Sequence, residues 1–188
     1  MPRSHWPLAV LFAWSICLSA GATSVLPVSF ADLVARADVI FVGDVVDVRP
    51  FPVQTSGGAV IRTRVVFRVT DPIFGAGSGY ETFDFLGGEW GGLSLTVADM
   101  PAFAIGDRRI VFARRAPSIN PIVGFTQGLL RIGRDAAGVD RVYTLDRVPL
   151  AGPEGIGRTR ALPAPDVAMR LSDLRDRIAR ALVDARRR

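Results

Sequence analysis

The side chains that most often perform catalysis are nearly absent from this sequence. Its 188 residues include one histidine, His5, and one cysteine, Cys17, and all 23 basic residues are arginine. Imidazole, thiolate and amine groups supply the general base, the nucleophile, the Schiff-base nitrogen and the common zinc ligands of most enzymes. In the rest of the chain, carboxylates and hydroxyls are the groups left to perform any chemistry. The sequence therefore predicts a protein that is not an enzyme and that needs no cofactor.

The first 22 residues, which contain that histidine and that cysteine, have the pattern of a secretory signal peptide. Arg3 precedes an apolar stretch from Trp6 to Ala20, and the small residues at 20–22 form a cleavage site. The apolar stretch is shorter than the roughly 20 residues that span a bilayer, which favours removal over a retained anchor. We expect a mature chain that begins at Thr23, is secreted or periplasmic in a bacterium, and is not stably inserted in a membrane.

Carboxylates are the remaining candidates for acid–base chemistry. Two carboxyl groups roughly 5 to 10 Å apart can hydrolyse a glycosidic bond. A carboxylate-based hydrolase acting on an envelope or extracellular substrate is therefore the alternative function, although no spacing singles out a pair. The sequence also lacks the Asp-x-Asp-x-Asp-Gly run of a calcium loop, so no metal site is predicted. The candidate carboxylates are Asp44, Asp47, Asp84, Glu89 and Asp99.

A glycine-rich segment at residues 87–92 holds the candidate ligand-binding residues. It lacks the Gly-Lys-Ser/Thr ending of a phosphate loop. Paired glycines on both sides of Glu89 and Trp90 allow a backbone with positive φ, which would present both side chains at a tip. A tryptophan there offers a large contact area. The alternative is a tight turn whose Trp90 folds back over the core as a lid.

Charged residues of both signs are mostly interleaved along the chain, and the formal net charge is +5. Asp107, Arg108 and Arg109 are one such group, and interleaving of this kind is typical of a solvated surface. The sequence therefore predicts no nucleic-acid partner.

Short strands separated by turn residues dominate residues 23–148. Ser29 followed by Asp32 predicts the start of a short helix. The apolar run from Val39 to Val48 predicts a strand that Pro50 and Pro52 end, and alternation from Ile61 to Val69 predicts a half-buried strand. The fold class is mainly β, a barrel or sandwich. Further strands are expected at 80–86, with Phe83 and Phe85 inward, at 93–97, 109–113, 129–132 and 142–145.

The tail differs from the preceding domain. Residues 149–165 are rich in proline and glycine, which predicts a flexible linker. Asp166 then caps a C-terminal helix over 166–188, whose apolar face is expected to dock on the barrel or on a partner. That face consists of Val167, Leu171, Leu174, Ile178 and Leu182.

Residues 28–135 resemble the oligonucleotide/oligosaccharide-binding (OB) type of barrel found in netrin-like and tissue-metalloprotease-inhibitor domains. The resemblance rests on the segments at 37–46, 63–69 and 103–112. Uncharacterised bacterial exported proteins share Phe103-x-x-Gly106-Asp107 and then Asn120-Pro121-x-Val123-Gly124-x-x-Gln127-Gly128. The resemblance implies a small OB-like, netrin-like barrel and an association with an extracellular metalloprotease. The inhibitors place an N-terminal cysteine on the catalytic zinc, whereas Thr23 begins this mature chain.

Together these features predict a non-catalytic binding or accessory module. The barrel face or the loop with Glu89 and Trp90 would hold a protein, peptide or glycan partner, an extracellular protease among them. The ligand itself is not specified by any residue pattern in the chain.

Overall fold

The structure is a computed structural model that describes residues 26–157 and 168–187. The predicted signal peptide, the cleavage site before Thr23, the linker residues 158–165 and the predicted cap Asp166 lie outside the described residues. Within them the chain is mainly β, which confirms that part of the predicted fold class. The elements are α1 (Phe30–Arg36), β1 (Val39–Thr55), β2 (Gly58–Phe74), β3 (Gly79–Leu86), β4 (Gly88–Trp90), β5 (Leu93–Leu95), β6 (Arg108–Ala113), β7 (Leu129–Arg134), β8 (Asp140–Tyr143), a single 3-10 turn (Pro153–Gly155) and α2 (Leu171–Arg186).

Six of the strands form one antiparallel sheet in the order β3-β2-β1-β6-β7-β8, and β4 and β5 form a separate ribbon. In the described residues this sheet is open rather than a closed barrel, with β3 and β8 at its edges. The segment at residues 114–121 follows β6 and lies along β3, where the Leu86 N–H donates to the Ile119 carbonyl at 2.9 Å. Pro117 and Pro121 in this segment have no N–H to donate to a strand ladder.

The first part of the central strand β1, from Val39 to Val45, is buried on both faces. Ile40 and Val42 belong to a hydrophobic cluster that both α-helices cover, whereas Phe41 and Val45 belong to a second cluster on the opposite face. Successive side chains of a strand point to opposite faces, so one apolar run supplies both clusters. The second cluster includes Phe83 and Phe85, which point inward as predicted. Five aromatic rings contact one another on this face of the sheet: Phe41, Phe67, Phe83, Phe85 and Phe103.

The prediction that Pro50 and Pro52 end β1 is wrong. The strand continues to Thr55, and both prolines remain in register with β2. The pairing of β1 with β6 extends from Val39 to Asp44, so the later half of β1 has β2 on one side and no strand of the six-stranded sheet on the other. A proline fits a strand where its missing N–H would face away from the neighbouring strand.

Both predicted helices are present, but the second begins at Leu171 instead of directly after Asp166, with Arg170 at its N-cap position and no side-chain capping hydrogen bond. The Ser29 hydroxyl accepts a hydrogen bond from the Asp32 N–H at 3.1 Å, which caps α1 as predicted. In α2 the described apolar face includes Leu174 and Ile178, both 0% exposed, and this helix packs against α1 and β8. The C-terminal helix therefore docks on the sheet domain itself.

The first part of the predicted linker is packed against the core. Leu150 and Ile156 are buried in the cluster under the helices. The backbone of Leu150 bonds to Val142 at 3.1 Å and to Met169 at 2.7 Å. Residues 149–157 are thus packed against the core, because two apolar side chains in this proline-rich segment find a buried site.

Candidate functional site

The predicted site residues Glu89 and Trp90 lie on the β4–β5 ribbon. Its turn is Gly91-Gly92, with φ of 57° and 80°, and two positive φ values are what a two-residue hairpin turn of the favoured type requires. Trp90 pairs with Leu93 across the ribbon, and Glu89 pairs with Ser94. The glycine pairs therefore form a hairpin with Trp90 directly beside its turn.

The base of this ribbon is fastened to β2. The Gly87 N–H donates to the Ile61 carbonyl at 2.8 Å, and the Thr63 hydroxyl donates to the Gly87 carbonyl at 2.7 Å. A Cβ at Gly88 would collide with the Thr63 oxygen, and the φ of Gly88 is 128°. Glycine is needed there both for the backbone angle and for the close approach. The ribbon is therefore held at one end and projects at the other.

The tip of the ribbon is apolar and exposed. Trp90 is 48% exposed and Leu93 is 71% exposed. Directly paired side chains share one face of a ribbon, so Trp90 and Leu93 form one contact surface. Glu89 and Ser94 leave the opposite face, because successive residues alternate. The structure thus does not bring Glu89 and Trp90 into a single contact surface.

The candidate carboxylates of the hydrolase alternative are mostly bound to arginines. Asp44 pairs with Arg68 at 2.9 Å, and Asp47 pairs with Arg49 at 3.0 Å. Asp84 accepts two bonds from Arg64, at 2.8 and 2.9 Å. Of the other two candidates, Glu89 lies on the exposed ribbon, and Asp99 lies in the turn after β5 with a φ of 59°. Three of the five carboxylates are therefore engaged by neighbouring cations.

The structure contains a buried charge cluster that the sequence interpretation missed. That interpretation placed residues 107–109 on a solvated surface. Arg109 is 0% exposed, and its Nη2 donates to Asp107 Oδ2 at 2.5 Å. Asp107 also accepts bonds from the Ala104 N–H at 3.0 Å and from Arg131 at 3.4 Å. Arg109 Nε and Nη1 have no hydrogen-bond partner within the described residues. Arg109 shares its strand face with buried Val111, and this alternation is the signal that could have located it.

Electrostatics in this cluster keep the carboxylate ionised. Burial by itself raises the pKa of Asp107, but the hydrogen bond from the Ala104 N–H and the charges of Arg109 and Arg131 outweigh it and hold the pKa below its usual value. Burial lowers the pKa of Arg109, and its contact with Asp107 offsets part of that effect. Because the Val45 N–H bonds to the Asp107 carbonyl at 2.9 Å, the cluster fixes the turn before β6 against β1.

The Asn120–Gly128 motif is structural. Asn120 Oδ1 accepts the Ile122 N–H at 3.0 Å, and a Cβ at Gly128 would lie 2.6 Å from the Val123 carbonyl oxygen. Gln127 Oε1 accepts the Val28 N–H at 2.7 Å and Gln127 Nε2 donates to the Leu26 carbonyl at 3.1 Å. The motif therefore binds the segment before α1 to the core.

Comparison of the chain with protein-family models, with curated proteins and with solved structures found no match in any of the three. Neither α-helix in the described ranges is long and apolar enough to cross a membrane. In those same ranges no three histidine, cysteine or carboxylate side chains are grouped so that they could hold a metal ion. The function is therefore inferred from the geometry of the chain's own residues.

Proposed function

We propose that the protein is a non-catalytic binding or accessory module that contacts a protein, peptide or glycan partner through Trp90. The observation that carries this proposal is the apolar tip formed by Trp90 and Leu93 on a ribbon whose base is fastened to β2. Tryptophan is enriched among the residues that dominate binding energy, and apolar side chains grouped at a surface mark interaction sites. A fixed base also lowers the conformational entropy lost on binding.

The finer fold assignment is a curled OB-like, netrin-like sheet in an exported bacterial protein. Its support is the shifts of register in β1, between Val42 and Gly43 and between Val45 and Asp47, because bulges bend and coil long strands. Export rests on the leader sequence, and an extracellular metalloprotease is the partner class that the resemblance implies. Intact-mass analysis of periplasmic or secreted material should give a chain that starts at Thr23; the full-length mass would contradict export.

The hydrolase alternative has weaker support. An activated carboxylate pair needs one group free to donate a proton and one free to attack or to activate water. Asp44, Asp47 and Asp84 instead each pair with an arginine. No observation among the described residues favours this alternative over the binding module.

The test is the substitution Trp90→Ala. Because the side chain is about half exposed, the free energy of unfolding should change by no more than about 0.5 to 1 kcal/mol, while the proteins retained from the native secretome in a crosslinking pull-down should be lost. Ile105→Ala is the matched control, since Ile105 is another exposed apolar residue, 69% exposed. It should retain the partners.

Phe85→Ala calibrates the stability measurement. Phe85 is 2% exposed, and its truncation should cost about 3 to 5 kcal/mol. If Trp90→Ala keeps all partners, or destabilises the protein as much as Phe85→Ala, the tip is not a contact surface. Turnover of a peptide, ester or glycoside by the pure protein would contradict the non-catalytic assignment.

A further inference from the structure

A groove of about 350 Å³ lies between the edge strand β3 and the segment at residues 114–121. Its volume is that of a typical ligand site. Residues that line the groove include Phe51, Val53, Arg62, Thr82, Arg114 and Pro117.

Both ends of the groove are fixed. At one end the Leu86 N–H donates to the Ile119 carbonyl at 2.9 Å, and at the other Arg115 pairs with Glu81 at 2.9 Å. Five residue steps separate Glu81 from Leu86, or about 16 Å at the usual rise of about 3.3 Å per residue. The groove therefore matches an extended segment of a few residues.

The backbone of β3 presents unused hydrogen-bonding groups to this groove. The Gly87 N–H bonds to Ile61 on β2, and alternate residues of an antiparallel strand face the same neighbour. The backbone groups of Thr82 and Asp84 therefore face away from β2. Arg62 Nη2 donates to the Asp84 carbonyl at 3.0 Å and to the Ser118 carbonyl at 2.5 Å. In the described residues the Thr82 N–H and carbonyl and the Asp84 N–H have no backbone partner.

The groove combines apolar walls with excess positive charge. Phe51, Val53 and Pro117 supply apolar surface. Arg62 Nε is buried and has no hydrogen-bond partner within the described residues. Arg114 adds an exposed cation, and the one carboxylate lining the groove, Asp84, is already bound by Arg64. A bound segment should therefore carry an apolar side chain and an acidic one.

We propose that this groove binds an extended acidic peptide segment, which adds as a further strand to the edge of β3. Main-chain bonds to Thr82 and to the Asp84 N–H would supply affinity, as in other cases of strand addition, and a carboxylate near Arg62 and Arg114 would supply specificity. This site is separate from the Trp90 ribbon and does not rest on the proposed function.

The probe is a fluorescent pool of acetylated hexapeptides, titrated with the full chain and read by anisotropy. Valine, isoleucine or threonine occupy alternate positions of each peptide, and one remaining position is aspartate or glutamate. Saturable binding is expected, and a matched pool with lysine at the acidic position should bind at least about tenfold more weakly. N-methylation of one set of alternate amides should abolish binding, whereas methylation of the other set should not, because only one set faces β3.

Protein variants locate the site. Thr82→Pro removes the N–H that faces the groove while keeping the bonds to β2, and it should weaken binding at least about tenfold compared with Thr82→Ala. Arg114→Gln should weaken binding of the acidic pool by about fivefold to tenfold. Arg36→Gln is the matched control, since Arg36 is an exposed arginine on α1, and it should bind as the unmodified chain does.

Several outcomes would overturn the proposal. They are no saturable binding of the acidic pool up to about 1 mM, equal tolerance of both methylation patterns, or unchanged binding by Thr82→Pro. Self-association of the chain that Thr82→Pro abolishes would assign the edge to a second copy instead. Trp90→Ala should leave peptide binding unchanged, so failure of this proposal and failure of the ribbon proposal are distinguishable.

Discussion

Arg109 is the residue that departs furthest from its usual environment. A guanidinium with 0% exposure forfeits its hydration, and its single carboxylate partner leaves two donor nitrogens without a hydrogen-bond partner in the described part of the chain. Buried ion pairs of this kind contribute little net stability, because the desolvation cost is comparable to the attraction. Removing only the carboxylate, however, leaves an uncompensated buried charge.

Truncation of the two partners should therefore have unequal effects. Asp107→Ala should lower the free energy of unfolding by about 3 to 5 kcal/mol, whereas Arg109→Met should be close to neutral, because it replaces the buried charge with an apolar side chain of similar length. Asp107 would still be bound by Arg131 and the Ala104 N–H. Urea denaturation of both variants measures the difference; equal losses would mean that the pair contributes net stability.

Helix α2 covers one face of the sheet through a small number of side chains. Ile178→Ala removes a fully buried side chain and should cost about 2 to 5 kcal/mol. Val183→Ala, on the same helix at 49% exposure, is the control and should change stability by less than about 0.5 kcal/mol. Thermal and urea unfolding would compare the two, and equal effects would show that α2 does not dock as described.

Local sequence signals predicted the elements that local interactions determine. The Ser29–Asp32 cap involves residues three apart, and the alternation from Ile61 to Val69 reports burial of one strand face directly. The hairpin turn at 135–138 is local in the same way, since Asp135 accepts the Ala137 and Val139 N–H groups, both at 2.9 Å.

The features that sequence did not predict depend on contacts between distant residues. Pro50 is tolerated in β1 because this part of the strand has a neighbouring strand on one side only. Leu150 is buried because β8 and the helices form a site for it. The site prediction was limited in the same way. A turn with an exposed Trp90 was expected as one possibility, but the pairing that separates Glu89 from Trp90 depends on the ribbon's register.

At the scale of the whole molecule, ion pairs make stability depend on pH. Hydrogen bonds from Arg134 to Asp140 and from Arg141 to Asp135 lower the pKa of each carboxyl, and the pKa of Asp107 is also lowered. A folded pKa below the unfolded value of about 3.9 means that the ionised form favours the native state. This contribution is fully present above the unfolded pKa and is lost as the pH falls through the folded pKa.

Unfolding free energy should therefore be nearly constant from neutral pH to about pH 5 and should fall below about pH 4. Urea melts across this range measure it. Asp140→Asn removes one of the carboxyl groups whose pKa is lowered and should flatten the acid limb. An acid limb of the same steepness in Asp140→Asn would exclude this carboxylate as a source.

The two-sided burial of β1 from Val39 to Val45 has a consequence for how the molecule unfolds. Phe41 and Ile40 are adjacent in the chain but belong to different hydrophobic clusters. Neither cluster can lose its packing without moving the strand that the other cluster needs. We therefore expect the two clusters to unfold as a single cooperative unit.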